Sequence, residues 1–354
     1  MFYHLFFRKI RCFKFILLSL LVQSTKMRDL VAKFPDQLKK AIEIGENAVL
    51  KPSDKTFSNV LICGLGGSGI GARIFAELID PSIEIPVFVN GDYSIPNWVD
   101  KNTLVVISSY SGNTEEVVSC LDQAKNIAGE ICSITSGGKV LEESKREGYN
   151  VIEIPGDMPP RTCLGYSLTQ FFFLFHHYGL IEARLVDELR NSYPFLESLS
   201  SSIEEKARSM YPLLNGKVSV LYSSQVFNPL MVRFQQQINE NSKALAWVNV
   251  VPEMNHNEIV GWTQKNDQLA VVAVEDDQDN NRVLHRLDYV RRLVSPLVSS
   301  YSVIKPEGKT LIEKYFYLTH MFDWISVQIA EAKGIDAVEV NVITRLKEEL
   351  AEID

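Results

Sequence analysis

The 354-residue sequence predicts an α/β protein built from two doubly wound parallel sheets. Three observations predict it. Short apolar runs alternate with helical stretches, the alternation occurs twice, and glycines follow the first run where a helix should begin. A chain of this length with 46% apolar residues exceeds what one core comfortably serves, so two packed domains are expected.

Taken in order, residues 1–26 (MFYHLFFRKIRCFKFILLSLLVQSTK) read as an extension outside the fold, with an export signal or a membrane anchor as alternatives. Their apolar run, Phe15–Val22, falls short of the roughly 20 residues that span a bilayer, and no small-residue cleavage pattern follows. From Met27, Leu38, Ala41, Ile42 and Ala48 fall at helical spacing and predict an opening helix, with Pro35 near its start. Strands are expected at 59–64, 85–90, 103–109, 130–135 and 150–155, with helices such as IGARIFAELI and TEEVVSCLDQAKNIA between them. Such βαβ units are right-handed and make a sheet covered on both faces. A helical region follows, SLTQFFFLFHHYGL and ARLVDELRNSYPFLESL. The second alternation begins at 217–224, continues through RFQQQINENSKALAW, 268–274 and 298–306, and ends in long helices from about 310. The expected domains are 27–190 and 191–354, packed together and sharing a site.

The formal charge is −8, but the first 26 residues carry five basic side chains and no acid, leaving 31 basic against 44 acidic residues from Met27 onward. Such a surface repels nucleic acid and anionic lipid, so a bound phosphate must be held by local geometry. The five cysteines form no C-x-x-C pair, which fits a reducing, cytoplasmic compartment with each thiol a small buried group.

LICGLGGSGIG (61–71) matches G-x-G-x-x-G at Gly64, Gly66 and Gly69, on a strand-to-helix turn where N–H groups and the helix end converge on an anion. A dinucleotide site would add an acid near the end of the second strand, and Asp92 is a candidate. A second loop, ISSYSGNTEEVV (107–118), clusters Ser108, Ser109, Ser111 and Thr114 at the next helix entry. Ordinary capping by Ser111, Asn113 or Thr114 uses one hydroxyl, and Glu115 and Glu116 suit the first turn. Four hydroxyls beside a glycine make a neutral donor cradle for a phosphate monoester, a feature with no role in a nicotinamide dehydrogenase.

GLGGSGIG followed by SYSGNTEE resembles the sugar isomerase (SIS) domain. MPPRTCLGYSL (158–168) and INENSKALAW…PEMNHNEIVGW narrow the resemblance to the bifunctional phosphoglucose/phosphomannose isomerases, from Met27 to the C-terminus. The resemblance implies two SIS domains, each a flavodoxin-like three-layer sandwich. It also implies a cytoplasmic, cofactor-independent homodimer serving glycolysis and gluconeogenesis. Gly66, Gly67 and Ser68 would approach the substrate, and Ser109, Ser111 and Thr114 would hold its phosphate. Arg161 would stabilise enediolate charge, Glu240 would be the base, His256 would open the sugar ring from the neighbouring subunit, and Lys333 would be the active-site lysine.

The chemistry suits these residue types. One carboxylate can move a proton between C1 and C2 through a cis-enediol without nicotinamide or metal. Ring opening exchanges protons between oxygens, which suits histidine near neutral pH. Of the six histidines, His176 and His177 lie in an aromatic helix and read as packing, and His4 lies in the extension. His285 and His320 show no polar surroundings in the sequence, whereas His256 has Asn255, Asn257 and Glu258 to fix its tautomer. Glu240 by itself reads as a surface acid, Arg161 as a salt-bridge partner held by two prolines, and Lys333 as a solvated lysine. No metal-ligand motif or Walker pattern is present. A non-catalytic phosphosugar-binding protein is the alternative, although a mere sensor has no need of Glu240 and His256 together.

Overall fold

A computed structural model describes residues 26–353, so the expectation for the opening segment lies, apart from Lys26, outside the described residues. The chain divides into two compact units, each with its own parallel sheet. The opening helix is split. Residues 26–32 form α1, and α2 (Phe34–Glu46) restarts with Pro35 in its first turn, where a missing N–H breaks no helical bond.

One unit comprises Lys33–Ser200 and Glu307–Tyr317. Its elements are α2, β1 (Asn59–Cys63), α3 (Gly66–Ile79), β2 (Val87–Asn90), β3 (Thr103–Ser109), α4 (Glu115–Ala124), β4 (Glu130–Thr135), α5 (Gly138–Glu147), β5 (Asn150–Glu153) and α6 (Leu164–His177). The sheet order is β2-β1-β3-β4-β5 and every pairing is parallel. All seven residues of β3 are buried, as a central strand covered on both faces requires. Leu61, Cys63, Val105 and Ile107 pack with Val117, Cys120 and Leu121 of α4 in one core cluster. Phe75 of α3 meets Phe171, Phe172 and Phe175 of α6 at centroid distances of 5.3, 5.0 and 4.6 Å. The strand order reverses between β1 and β3, so the loops leaving these neighbours open side by side, where doubly wound sheets bind ligands.

The other unit comprises Ser201–Pro306, Leu318 onward and the described residues up to Ala32. It holds β6 (Val218–Ser224), α8 (Asn228–Ser242), β7 (Ala246–Val251), β8 (Asn266–Val274), α9 (Asn281–Val294), β9 (Val298–Ile304) and α11 (Asn341–Leu350). Helices α7 (Ala183–Leu214) and α10 (Leu311–Lys333) contribute residues to both units. The order β7-β6-β8-β9 repeats the first four strands of the other sheet. Between β7 and β8 two 3₁₀ turns, Glu253–His256 and Glu258–Gly261, stand where a crossover helix would run. The stretch RFQQQINENSKALAW divides between the end of α8 and the start of β7. Val220, Tyr222, Val271 and Ala273 pack with Leu287, Val290 and Val294 of α9, and Phe234 of α8 stacks on Phe322 of α10 at 4.2 Å.

Candidate active site

The glycine loop is shaped by close approach. A Cβ on Gly69 would lie 2.4 Å from the Gly64 carbonyl oxygen, and one on Gly64 would lie 3.1 Å from that of Ser108, so the turn lies against the end of β3. Gly66 adopts φ +52°, in the left-handed region. A Cβ on Gly67 would lie 3.1 Å from the Pro160 carbonyl oxygen and 3.8 Å from the Arg161 nitrogen, so this loop also abuts the MPPR turn. No side chain caps the N-terminus of α3, whose preceding residue is Leu65. Ser68 is buried and its hydroxyl accepts the Tyr110 N–H at 3.0 Å, joining the first loop to the second.

In the serine loop the expected cap takes a different form. Thr114 is the residue before α4, with Glu115 and Glu116 in the first turn, but its hydroxyl does not cap the helix. It lies 3.0 Å from the buried Ser109 hydroxyl, which accepts the Gly112 N–H at 3.1 Å. Ser111 is exposed and accepts the Asn113 N–H at 3.2 Å. Gly112 has φ +67°, and a Cβ there would lie 1.7 Å from the Gly137 carbonyl oxygen. Only glycine fits that turn. Ser108 faces the opposite side of the sheet from Ser109 and is fully buried, its hydroxyl without a hydrogen-bond partner among the described residues.

Arg161 lies in a single 3₁₀ turn, Pro160–Thr162, and is 7% exposed. Gln37 of α2 braces this turn by donating to the Thr162 carbonyl at 2.7 Å and accepting the Gly165 N–H at 2.9 Å. Tyr110, which sequence reasoning passed over, accepts the Met158 N–H on its phenol oxygen at 3.2 Å, and burial raises its phenol pKa. Its backbone meets the first loop and its side chain meets the third. Gly66, Gly67, Ser68, Ser109, Ser111, Thr114 and Arg161 thus lie on three loops in mutual contact. Asp92 is exposed and accepts the Tyr93 N–H at 2.6 Å.

Glu240, Lys333 and His256 belong to the other unit. Glu240 is half-buried in the last turn of α8. Polar contacts to α10 hold that helix in register. Arg233 meets Asp323 through two bonds of 2.6 and 2.9 Å, Gln237 donates to Asp323 at 2.6 Å, and Asn241 donates to Ser326 at 3.0 Å. Lys333, expected from its sequence surroundings to be solvated, is half-buried and donates to the Ser242 carbonyl at 3.0 Å. Burial lowers its pKa. Glu240 and Lys333 thereby flank the same end of α8.

His256 is exposed at the end of its 3₁₀ turn, which is anchored by the buried Met254, and has no hydrogen-bond partner among the described residues. The neighbours expected to fix its tautomer are committed elsewhere. Asn255 donates to Met254 Sδ at 2.9 Å, and Asn257 donates to Glu253 at 2.8 Å and caps Glu258. Glu258 accepts from Tyr222, from Trp247 at 3.2 Å and from Asn249 at 2.8 Å, which pins the loop to the sheet face. A pocket of about 420 Å³ beside this loop is lined by Trp247, Glu258, Trp262, Lys265 and Leu269, and by none of the expected site residues.

Two other histidine readings change. His320 is fully buried and accepts the Trp324 indole N–H at 3.2 Å, and burial pushes it down to about 4. His176 and His177 lie at the C-terminal end of α6, within 3.3 Å of the Ile181 carbonyl and 2.8 Å of the Lys51 carbonyl, and do not pack in the core.

The two sheets differ at matching strand ends. Strand β6 ends in Ser223 and Ser224 and leads into a 3₁₀ turn without glycine, Gln225–Phe227, and after β8 come Glu275, Asp276, Asp277 and Asp279. That acidic loop repels a phosphate, so among the described residues the neutral donor cradle occurs in one of the two sheets. Among the described residues no cluster of His, Cys, Asp or Glu could hold a metal ion, and no helix is long and apolar enough to cross a membrane.

The family model described as the bacterial phospho-glucose isomerase C-terminal SIS domain matches residues 203–350. A bifunctional phosphoglucose/phosphomannose isomerase of Caldicellulosiruptor bescii is 36% identical over 338 residues, covering 92% of this chain and 99% of that protein. One of Aquifex aeolicus is 35% identical, covering 83% and 91%. Among solved structures, the C-terminal domain of glucosamine-fructose-6-phosphate aminotransferase from Francisella tularensis superposes with a TM-score of 0.71 at 14% identity, covering 89% of this chain and 98% of that one. That likeness establishes the fold, and with the family model it identifies the two parallel-sheet units as SIS domains. With this fold and near-full-length identity, the chain belongs to the bifunctional phosphoglucose/phosphomannose isomerase family.

Proposed function

We propose that this protein interconverts glucose 6-phosphate and mannose 6-phosphate with fructose 6-phosphate by proton transfer through a cis-enediol. The observation that carries the proposal is the neutral cradle at the β1 and β3 strand ends, tied together by Ser68 and Tyr110. It offers hydroxyls and helix N–H groups to one monoester on a chain whose net charge repels polyanions. The relatives' names favour an enzyme over a non-catalytic phosphosugar-binding protein.

Ser109 and Thr114 hold the phosphate, with Ser111 at the exposed rim and Gly66, Gly67 and Ser68 along the sugar. His256 moves the proton between O1 and the ring oxygen as the hexose opens. Glu240 takes the C2 proton from the aldose and returns it to C1, while the proton on O2 passes to O1. Arg161 stabilises the negative charge that develops on the enediolate oxygens. Lys333 keeps a cation at the end of α8, two residues from Glu240.

The protein acts as a homodimer with His256 supplied to the second copy's site, a reading supported by that residue's exposure and its lack of a hydrogen-bond partner among the described residues. The four described cysteines are free and buried, which supports a cytoplasmic setting. The test is conversion of fructose 6-phosphate by the purified protein with a chelator and no added cofactor, followed by separate coupled assays for glucose and mannose 6-phosphate. Absence of both products overturns the assignment. Glu240→Gln is expected to abolish turnover while fructose 6-phosphate still binds in calorimetry.

A further inference from the structure

Tyr110 stands between Ser109 and Ser111 in the serine loop, yet its own polar groups are engaged within the protein. Its N–H donates to the Ser68 hydroxyl at 3.0 Å, and its carbonyl accepts the Ser136 N–H at 3.0 Å and the Ser136 hydroxyl at 2.6 Å. Its phenol oxygen accepts the Met158 N–H at 3.2 Å, and the Cys163 thiol lies against the phenol. The Tyr110 N–H is therefore not offered to a phosphate, while the side chain reaches both arms of the turn that carries Arg161.

What fixes Met158 also fixes the base of Arg161. Pro159 and Pro160 separate the two residues, and their rings leave that stretch little backbone freedom. Asp157, just before Met158, adopts φ +65°, in the left-handed region that a residue with a side chain keeps only where its surroundings hold it. The Met158 N–H follows directly on this bend, so its bond to the phenol helps to hold the bend. Gln37 braces the other side of the turn from α2, a helix outside the phosphate loops. Tyr110 instead ties the arginine's turn to the cradle itself.

We propose that Tyr110 is a positioning residue, which touches no substrate and sets Arg161 relative to the loops that hold the phosphate. The inference rests on the roles proposed above for Ser109, Thr114 and Arg161. Charge on the enediolate oxygens develops only as the proton moves, so a displaced guanidinium weakens the transition state more than the bound substrate. Loss of the phenol oxygen should therefore lower kcat and leave the grip on phosphate intact.

The experiment uses Tyr110→Phe, which keeps the ring and removes the phenol oxygen, with thermal unfolding checking that the variant folds. Its kcat for fructose 6-phosphate is expected to fall about tenfold, while KM and the inhibition constant of inorganic phosphate stay within about twofold of wild type. A general loosening of the fold would move all three. Calorimetry with the hydroxamate of a five-carbon sugar-acid phosphate, whose planar anion imitates the enediolate, gives a readout that needs no turnover. Tyr110→Phe is expected to weaken its binding about tenfold in the otherwise wild-type chain and less than about twofold in the Arg161→Ala background, where the group through which the tyrosine acts is gone. A wild type without isomerase activity overturns the proposed reaction and the positioning role together. An active wild type whose Tyr110→Phe variant keeps its kcat, or loses phosphate inhibition along with kcat, overturns the positioning role alone. So does an equal loss of hydroxamate affinity with and without Arg161.

Discussion

The hydroxyl of Ser68 accepts the backbone N–H of Tyr110 at 3.0 Å, so the glycine loop and the serine loop act as one bonded unit. Ser68 is buried, and removing its oxygen leaves the Tyr110 N–H unsatisfied at a cost of about 1–3 kcal/mol. Ser68→Ala is therefore expected to raise KM for fructose 6-phosphate about tenfold and to change kcat by less than about threefold, because the reacting carbons lie away from the phosphate. Ser68→Thr, which keeps the acceptor, is expected to retain most of the affinity. Steady-state kinetics on the two variants provide the check, and an unchanged KM for Ser68→Ala would count against a shared cradle.

The Arg233–Asp323 pair holds α8 against α10 with side chains only 4% and 6% exposed. Asp323→Ala leaves a buried guanidinium without its carboxylate, so a stability loss of about 3–5 kcal/mol is expected. Replacing both partners, Arg233→Met with Asp323→Leu, removes the charges together and is expected to restore most of the melting temperature. If the pair also sets the position of Glu240, kcat of this stable double variant falls while KM changes little. A double variant with wild-type kcat would limit the pair to a role in stability.

Both findings bear on how much was legible beforehand. The strand and helix alternation is local, so the sheets could be read from apolar runs, and the glycines marked their turn because Gly66 is left-handed and a Cβ on Gly69 would strike the Gly64 carbonyl. Tyr110 and Asp323 gave no comparable signal. Their importance comes from partners 48 and 90 residues away, and an aspartate that neutralises a buried arginine looks in sequence like any of the other acids. The tautomer partners assigned to His256 failed for a related reason. Adjacency in sequence did not reveal that Glu258 turns inward to Tyr222 and Trp247.

Glu77 on α3 gives a pH dependence. Burial, with Asp80 adding to it, pushes its carboxyl up from 4.5 to about 7. The folded state therefore holds a proton that the unfolded state has lost between these values. Stability falls as pH rises from about 4.5 to about 7 and is flat above that. Because Glu77 is only half-buried, screening reduces the effect to about 1–2 kcal/mol. Thermal unfolding of Glu77→Gln is expected to show a higher melting temperature than wild type at pH 8, little difference at pH 4.5, and loss of the intervening slope. Parallel wild-type and variant curves across this range would refute the assignment.

His256 and Glu240 provide a test of where each active site obtains its parts. Each single variant, His256→Ala or Glu240→Gln, is expected to be inactive toward cyclic substrate as a homodimer. Suppose His256 serves the neighbouring copy. In a mixed dimer one site then receives both altered residues, and the other receives the intact glutamate of one chain with the intact histidine of its partner. Random exchange makes half of the molecules mixed, so activity should return to about a quarter of wild type. If both groups act within one chain, every site carries one lesion and mixing restores nothing. Mixing the purified variants, allowing subunits to exchange, and assaying fructose 6-phosphate formation from glucose 6-phosphate separates the two arrangements without needing either variant to be more than folded.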